Sequence, residues 1–118
     1  MEKIISIDAM GGDNGIDITI EGACLAMKRQ RDLSVIFFGN ESLIIEKLKN
    51  IEHSKDKIEV IHCDKVVEMD TKPIDAIRRV GKESSMWGCI NAVSEGKSDI
   101  AISAGNTGAL MGLSTIIL

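Results

Sequence analysis

Four short apolar runs punctuate the chain, and segments with helical spacing lie between them. The runs are Ile4 to Ile7, Leu33 to Phe38 ending at Gly39, Ile58 to Ile61, and Asp99 to Ser103. They are continuous rather than alternating, the pattern of strands buried on both faces of a parallel sheet. Ile20, Ala23, Cys24 and Met27 fall at i, i+3, i+4 and i+7, one face of a helix. Met86, Cys89, Ile90 and Val93 repeat that spacing. A shorter helix is predicted over 41–50, carrying Leu43, Ile44 and Leu48, and a last one over 105–118. The order β-α-β-α-β-(α)-α-β-α predicts an α/β fold, a doubly wound, mostly parallel sheet with helices on both faces.

Residues 63–83 break the rhythm. The stretch is polar and holds the only proline, Pro73. Asp70-Thr71-Lys72-Pro73 predicts a turn into a short helix with proline at its first position. Excursions of this length in compact domains are often functional. The chain closes on an apolar run, Leu113 to Leu118, with no Gly or Asn cap and no basic last turn. The expectation is that residues 1–118 are the N-terminal α/β portion of a longer protein.

Composition narrows the function classes. Aromatic residues are 3% with no Tyr, which removes the stacking platforms of single-strand nucleic-acid binders. A formal charge of −4 leaves no electrostatic footprint for duplex binding. Cys24, Cys63 and Cys89 form no CxxC pair, and His53 and His62 complete no zinc spacing, so buried thiols in a reducing cytosol are expected and no metal or cofactor. Lys3 leads straight into a strand rather than a secretory h-region, and the longest apolar tracts are too short to span a bilayer.

The candidate chemistry sits at two strand ends. The first strand runs into Asp8-Ala9-Met10-Gly11-Gly12-Asp13-Asn14 and then a helix; the fourth runs into Ser103-Ala104-Gly105-Asn106-Thr107-Gly108 and then a helix. Strand, glycine-rich loop and helix together put unpaired N–H groups and the positive end of a helix dipole at the edge of a sheet, an anion-binding arrangement. With strand order 3-2-1-4 the two loops face one another across the switch point, where open α/β sheets bind ligands. Each loop has a plainer reading as well. Asp8 orients its own glycine turn, Asp13 caps a helix, and the second loop is an N-cap and tight turn. Lys72, Arg78 and Arg79 offer charge for a phosphate or acidic partner, or simply face solvent. Gly96-Lys97-Ser98 imitates the end of a P-loop, but Asn91 stands where the first glycine belongs and a helix precedes it. A solvated turn is the reading there. Ser84 and Ser85 start the helix carrying Met86.

Asp8-Ala9-Met10-Gly11-Gly12-Asp13, Lys72-Pro73 with Ala76 and Arg78, Ser84-Ser85-Met86 and Ser103-Ala104-Gly105-Asn106-Thr107-Gly108-Ala109 occur in that order. Together they resemble the N-terminal part of the PlsX family of bacterial phosphate acyltransferases, the acyl-ACP:phosphate transacylases, over essentially the whole chain. The resemblance implies transfer of a fatty acyl group from acyl carrier protein to inorganic phosphate, giving acyl phosphate for phospholipid synthesis. It implies a fold like that of the isocitrate/isopropylmalate dehydrogenases and a longer chain. It also implies a homodimer, cytoplasmic and peripheral at the membrane surface. Two departures stand out: Gly15-Ile16 replaces the family's Ala-Pro, and Val80-Gly81 stands where the family is more basic. On this chemistry Asp8 and Asn106 are the expected catalytic residues. Gly11, Gly12, Asp13, Asn14, Ser103, Gly105, Thr107, Gly108, Lys72 and Arg78 are the expected phosphate and thioester contacts. The competing readings are a nucleotide-dependent oxidoreductase or phosphotransferase on the same architecture, and a non-catalytic fragment.

Overall fold

The computed structural model describes residues 2–12 and 15–118. The strands are β1 (Lys3–Asp8), β2 (Leu33–Gly39), β3 (Ile58–His62) and β4 (Ile100–Ile102). The helices are α1 (Gly15–Arg29), α2 (Glu41–Leu48), α3 (Pro73–Asp75), α4 (Ser85–Ser94) and α5 (Thr107–Ile117). All strand pairs are parallel and the order is β3-β2-β1-β4, the order read from the sequence. The change of direction in that order falls between β1 and β4.

Each face of the sheet has its own helices, because parallel strands need long crossovers and right-handed crossovers in opposite directions go to opposite faces. On one face Ile7, Val35 and Phe37 pack against Ile20, Ala23 and Cys24 of α1 and Ile44 and Leu48 of α2. On the other, Ile36 and Phe38 pack against Cys89 and Ala92 of α4. Helix α4 lies so close that a Cβ on Gly88 would stand 2.6 Å from the Phe38 ring. Glycine at that position sets the approach of helix to sheet.

A second apolar cluster joins the 63–83 excursion to α4 and α5 through Val67, Ala76, Met86, Ile90, Ala109 and Leu113. Short helix α3 starts at Pro73, as its sequence predicts, then continues as a π turn over Ala76–Val80 and a 3-10 turn over Gly81–Glu83. The base of the excursion is closed by a bridge between Lys65 and Ser84.

Four sequence expectations change. The fourth strand is shorter than 99–103, and the last helix begins at Thr107 rather than Gly105. Burial on both faces holds for β1 and β2 but not for edge strand β4, whose Ile100 and Ile102 are 53% and 48% exposed on the α1 side. Helix α1 sits over β1 and β2 and does not reach them. Ser98, expected in a solvated turn, is buried: its hydroxyl lies 2.9 Å from that of Ser6, which donates to the Cys89 carbonyl at 2.7 Å. These bonds satisfy the two hydroxyls inside the core and fasten β1 to α4.

Replacing Gly88 by Val is expected to lower stability by about 1–3 kcal/mol by driving Phe38 off its packing. Urea denaturation of the two proteins measures it.

Candidate functional site

The ends of β1 and β4 lie side by side, so the loops that follow them meet. Asp8 is the last residue of β1 and is almost fully buried. A buried carboxylate needs hydrogen-bond donors. One oxygen accepts from the Met10 N–H at 3.1 Å, and the other accepts from the Ser103 hydroxyl at 2.9 Å. The Ser103 oxygen in turn accepts from the Gly105 N–H at 3.1 Å. A single chain of bonds thus runs from the first loop through Asp8 and Ser103 into the second.

The two loops interlock around it. A Cβ on Gly11 would stand 2.9 Å from the Asp8 carboxylate and 2.9 Å from the Gly105 nitrogen. One on Gly105 would stand 3.5 Å from the Gly11 α-carbon and 3.0 Å from the Met86 methyl group. Gly12 has φ of +88°, a backbone state that side chains disfavour, and lies against the Ala104 carbonyl. The expectation of two loops facing across an open crevice is therefore altered in detail: at Gly11 and Gly105 they are in contact. Asp13 and Asn14 lie outside the described residues.

Asn106 is committed to the fold. Its side-chain oxygen accepts from the Ala109 N–H and caps α5. Its amide donates to the carbonyls of Glu68, Met69 and Thr71, at 3.1, 3.2 and 2.5 Å. This one residue fastens the excursion over the start of α5. Both ends of the carboxamide are engaged and the residue is buried. Gly108 also has a packing duty: a Cβ there would stand 3.0 Å from Pro73. Gly112, one turn on, faces Pro73 and Ile77. These two glycines make the seat on which α3 rests.

That seating brings Lys72, the residue before Pro73, beside the first turn of α5, where Thr107 is exposed. Arg78 is exposed farther along the excursion. Among the described residues neither Lys72 nor Arg78 has an ion-pair partner, whereas Arg79 pairs with Asp75 at 3.6 Å and Lys65 with Glu83 at 3.0 Å.

Two contacts at this edge were not foreseen from the sequence. Met86, in the first turn of α4, props the Gly105 loop from below. His62, at the end of β3, accepts the Glu41 N–H on Nδ1 at 3.1 Å and lies 2.8 Å from Asp64 through Nε2. With Nδ1 accepting, the proton sits on Nε2 and is donated to Asp64. The ring therefore closes the first turn of α2 together with the Asn40 cap. Neither contact has a sequence signal, since both join distant segments.

The thiols supply no nucleophile. Burial, and then the charge of nearby Asp8, push Cys63 up to about 11 and Cys89 up to about 12. Burial raises Cys24 as well. All three are free and neutral near pH 7. Among the described residues no cluster of His, Cys, Asp or Glu is suited to a metal ion, and no helix is long and apolar enough to cross a membrane.

Because the folded thiols of Cys63 and Cys89 ionise at higher pH than unfolded ones, their contribution to stability is complete below about pH 8.5. It is lost as pH rises toward 11–12. Stability measured by urea titration should fall over that range, and less so in Cys89→Ala. Gly11→Ala is expected to cost about 1–3 kcal/mol in the same measurement, since its neighbours are backbone and a fixed carboxylate. Asn106→Ala should cost about 1–2 kcal/mol through the lost cap and expose 68–71 to faster hydrogen exchange.

Residues 3–118 match the family described as fatty acid synthesis protein. The chain is similar to proteins named phosphate acyltransferase. That of Azorhizobium caulinodans is 46% identical over 114 residues, covering 97% of this chain and 32% of the relative. That of Phenylobacterium zucineum is 42% identical over 115 residues, covering 98% and 33%. That of Caulobacter vibrioides is 44% identical over 115 residues, covering 98% and 32%. This chain spans about a third of the length of these relatives. With a family match that runs through both glycine loops, the excursion and every strand, the chain belongs to the fatty acid synthesis protein family.

Proposed function

We propose that this chain forms one wall of an acyltransferase site in lipid synthesis, in which a fatty acyl group passes from acyl carrier protein to inorganic phosphate. The observation that carries this reading is the bonded junction of Asp8, Ser103 and Gly105, which fixes two glycine loops and the start of α5 at the switch point of the sheet. The names of the relatives support the same class of reaction.

The reaction asks for orientation more than for a strong base. Phosphate is already an anion near neutral pH, and its oxygen attacks the thioester carbonyl carbon. The carbon–sulfur bond breaks, the phosphate proton passes to sulfur, and acyl phosphate and the carrier thiol leave. The first N–H groups of α5, at exposed Thr107 and Gly108, have no partner within the helix and face an arriving anion with the positive end of the dipole. Lys72 adds a charge beside them. Asp8, Ser103 and Asn106 act as positioning residues: they hold those N–H groups in place before substrate arrives. Pre-aimed donors of this kind are worth ~10²–10³ in rate for each one lost.

The same reading makes the full-length protein a cytoplasmic homodimer working at the membrane surface, and leaves this portion inactive by itself. The test uses the full-length protein with acyl carrier protein thioester and phosphate, trapping acyl phosphate with hydroxylamine. Hydroxamate should form only when phosphate is present; its absence sinks the reading. Ser103→Ala is expected to lower kcat/KM about 10²-fold by letting the loops drift apart. Thr107→Ala, which leaves the N–H in place, should cost far less.

A further inference from the structure

The start of α4 carries a buried polar group that the loop junction does not use. Ser85 is fully buried, and among the described residues its hydroxyl has no hydrogen-bond partner. Such a group costs stability, and native proteins keep few of them. Its direction follows from its place on the helix. Ser85, Gly88, Cys89 and Ala92 share the face turned to the sheet, with Gly88 against the Phe38 ring and Cys89 donating to the Ile102 carbonyl at 3.6 Å. One turn before Cys89, Ser85 stands beyond the end of β4, at the edge where the glycine loops meet. A helical Cα–Cβ bond tilts toward the N-terminus, so this hydroxyl extends toward the first N–H groups of α4. Two of those groups are engaged: the Ser85 N–H donates to the Lys65 carbonyl at 3.0 Å, and the Trp87 N–H to Ser84 Oγ at 3.0 Å. Among the described residues the Met86 N–H between them has no partner, and Met86 is buried as well.

Resting on the acyl-transfer reading above, we propose that the start of α4 is a second phosphate-binding element of the site, where the Ser85 hydroxyl and the Met86 N–H hold one oxygen of the phosphate acceptor. An amide N–H and a hydroxyl at the positive end of a ten-residue helix favour an oxygen anion over a cation. The Met86 side chain reaches Gly105, so the starts of α4 and α5 border the same loop. The base of the excursion covers this point, and the Lys65 carbonyl on the Ser85 N–H occupies the place of an oxyanion. Few bonds hold it there. The Lys65 N–H donates to the Glu83 carbonyl at 3.1 Å, and the side chains of the same two residues form an exposed ion pair, a weak tie. Gly81, with φ of +53°, supplies the joint beside that base. An arriving phosphate that displaces the Lys65 carbonyl gains the Ser85 N–H as a further donor.

Full-length wild type and Ser85→Ala are compared by calorimetry with inorganic phosphate, chloride holding the ionic strength constant. Before phosphate is added, the variant should melt at the same or a higher temperature, because it removes a polar group that lacks a partner. A lower Tm overturns the proposal, since the hydroxyl is then already satisfied within the fold. A hydrogen bond to a charged group is worth about tenfold or more in affinity, so the variant should bind phosphate at least about tenfold more weakly. In turnover its KM for phosphate should rise while its KM for the acyl carrier protein thioester holds. Unchanged phosphate affinity overturns the proposal. In the wild type, phosphate should slow hydrogen exchange at Met86 and quicken it at Lys65; no change at either position also overturns it. Phosphate binding that depends on Ser85, without hydroxamate formation, sinks the acyl-transfer reading and leaves this site standing. Hydroxamate formation with equal phosphate affinity in the two proteins does the reverse.

Discussion

The close contact of Gly11 with Gly105 is the constraint on which the rest of the site depends. It forces the loops after β1 and β4 to lie against each other with no side chain between them. The Asp8 carboxylate, buried at that contact, is tolerable only because Met10 and Ser103 donate to it. Removing either donor leaves a buried charge under-solvated, so the polar chain and the glycine contact hold each other in place. The start of α5 is aimed by that arrangement and not by its own sequence.

The same economy of space governs the outer layer. Helix α4 reaches the sheet because Gly88 lets the Phe38 ring approach, and the excursion reaches α5 because Gly108 and Gly112 let Pro73 approach. Asn106 then adds its bonds to three carbonyls of the excursion. A polar, proline-bearing stretch with little core of its own is in this way held beside the first turn of α5. Packing of Pro73 against Gly108 and Gly112 sets the backbone of Lys72 beside the first turn of α5. Surface ion pairs such as that of Arg79 with Asp75 contribute little to this architecture.

The chemistry proposed for the edge follows from restraint more than from reactivity. The thiols near Asp8 are kept protonated by burial, and both nitrogens of His62 are spent on closing α2 and meeting Asp64. Among the described residues, Thr107 and Gly108 at the start of α5 are exposed at the rim, and Lys72 is exposed in the residue before Pro73. Such a surface suits a reaction in which the incoming group carries its own charge and needs to be oriented.

Much of the architecture was legible in the chain. The apolar runs gave four strands within a residue or two, and the spacing of Ile20 to Met27 and Met86 to Val93 gave the helix faces, because periodicity reports burial directly. Both loops were legible as strand–glycine–helix units, and the order 3-2-1-4 assumed for a doubly wound sheet is the one observed. The duties of individual site residues were not. Asn106 reads as a cap, which it is, but its grip on 68–71 joins segments 35 or more residues apart and leaves no local trace. Gly108 reads as a ligand glycine, and its packing against Pro73 has no local signal. Ser98 reads as a solvated turn, yet is buried against Ser6. Sequence by itself determined which segments are strands, helices and anion-prone loops, since those rest on interactions within a few residues. Only the tertiary structure decided which polar groups are left free at the rim, because a donor's fate depends on whatever distant segment the packing brings to it.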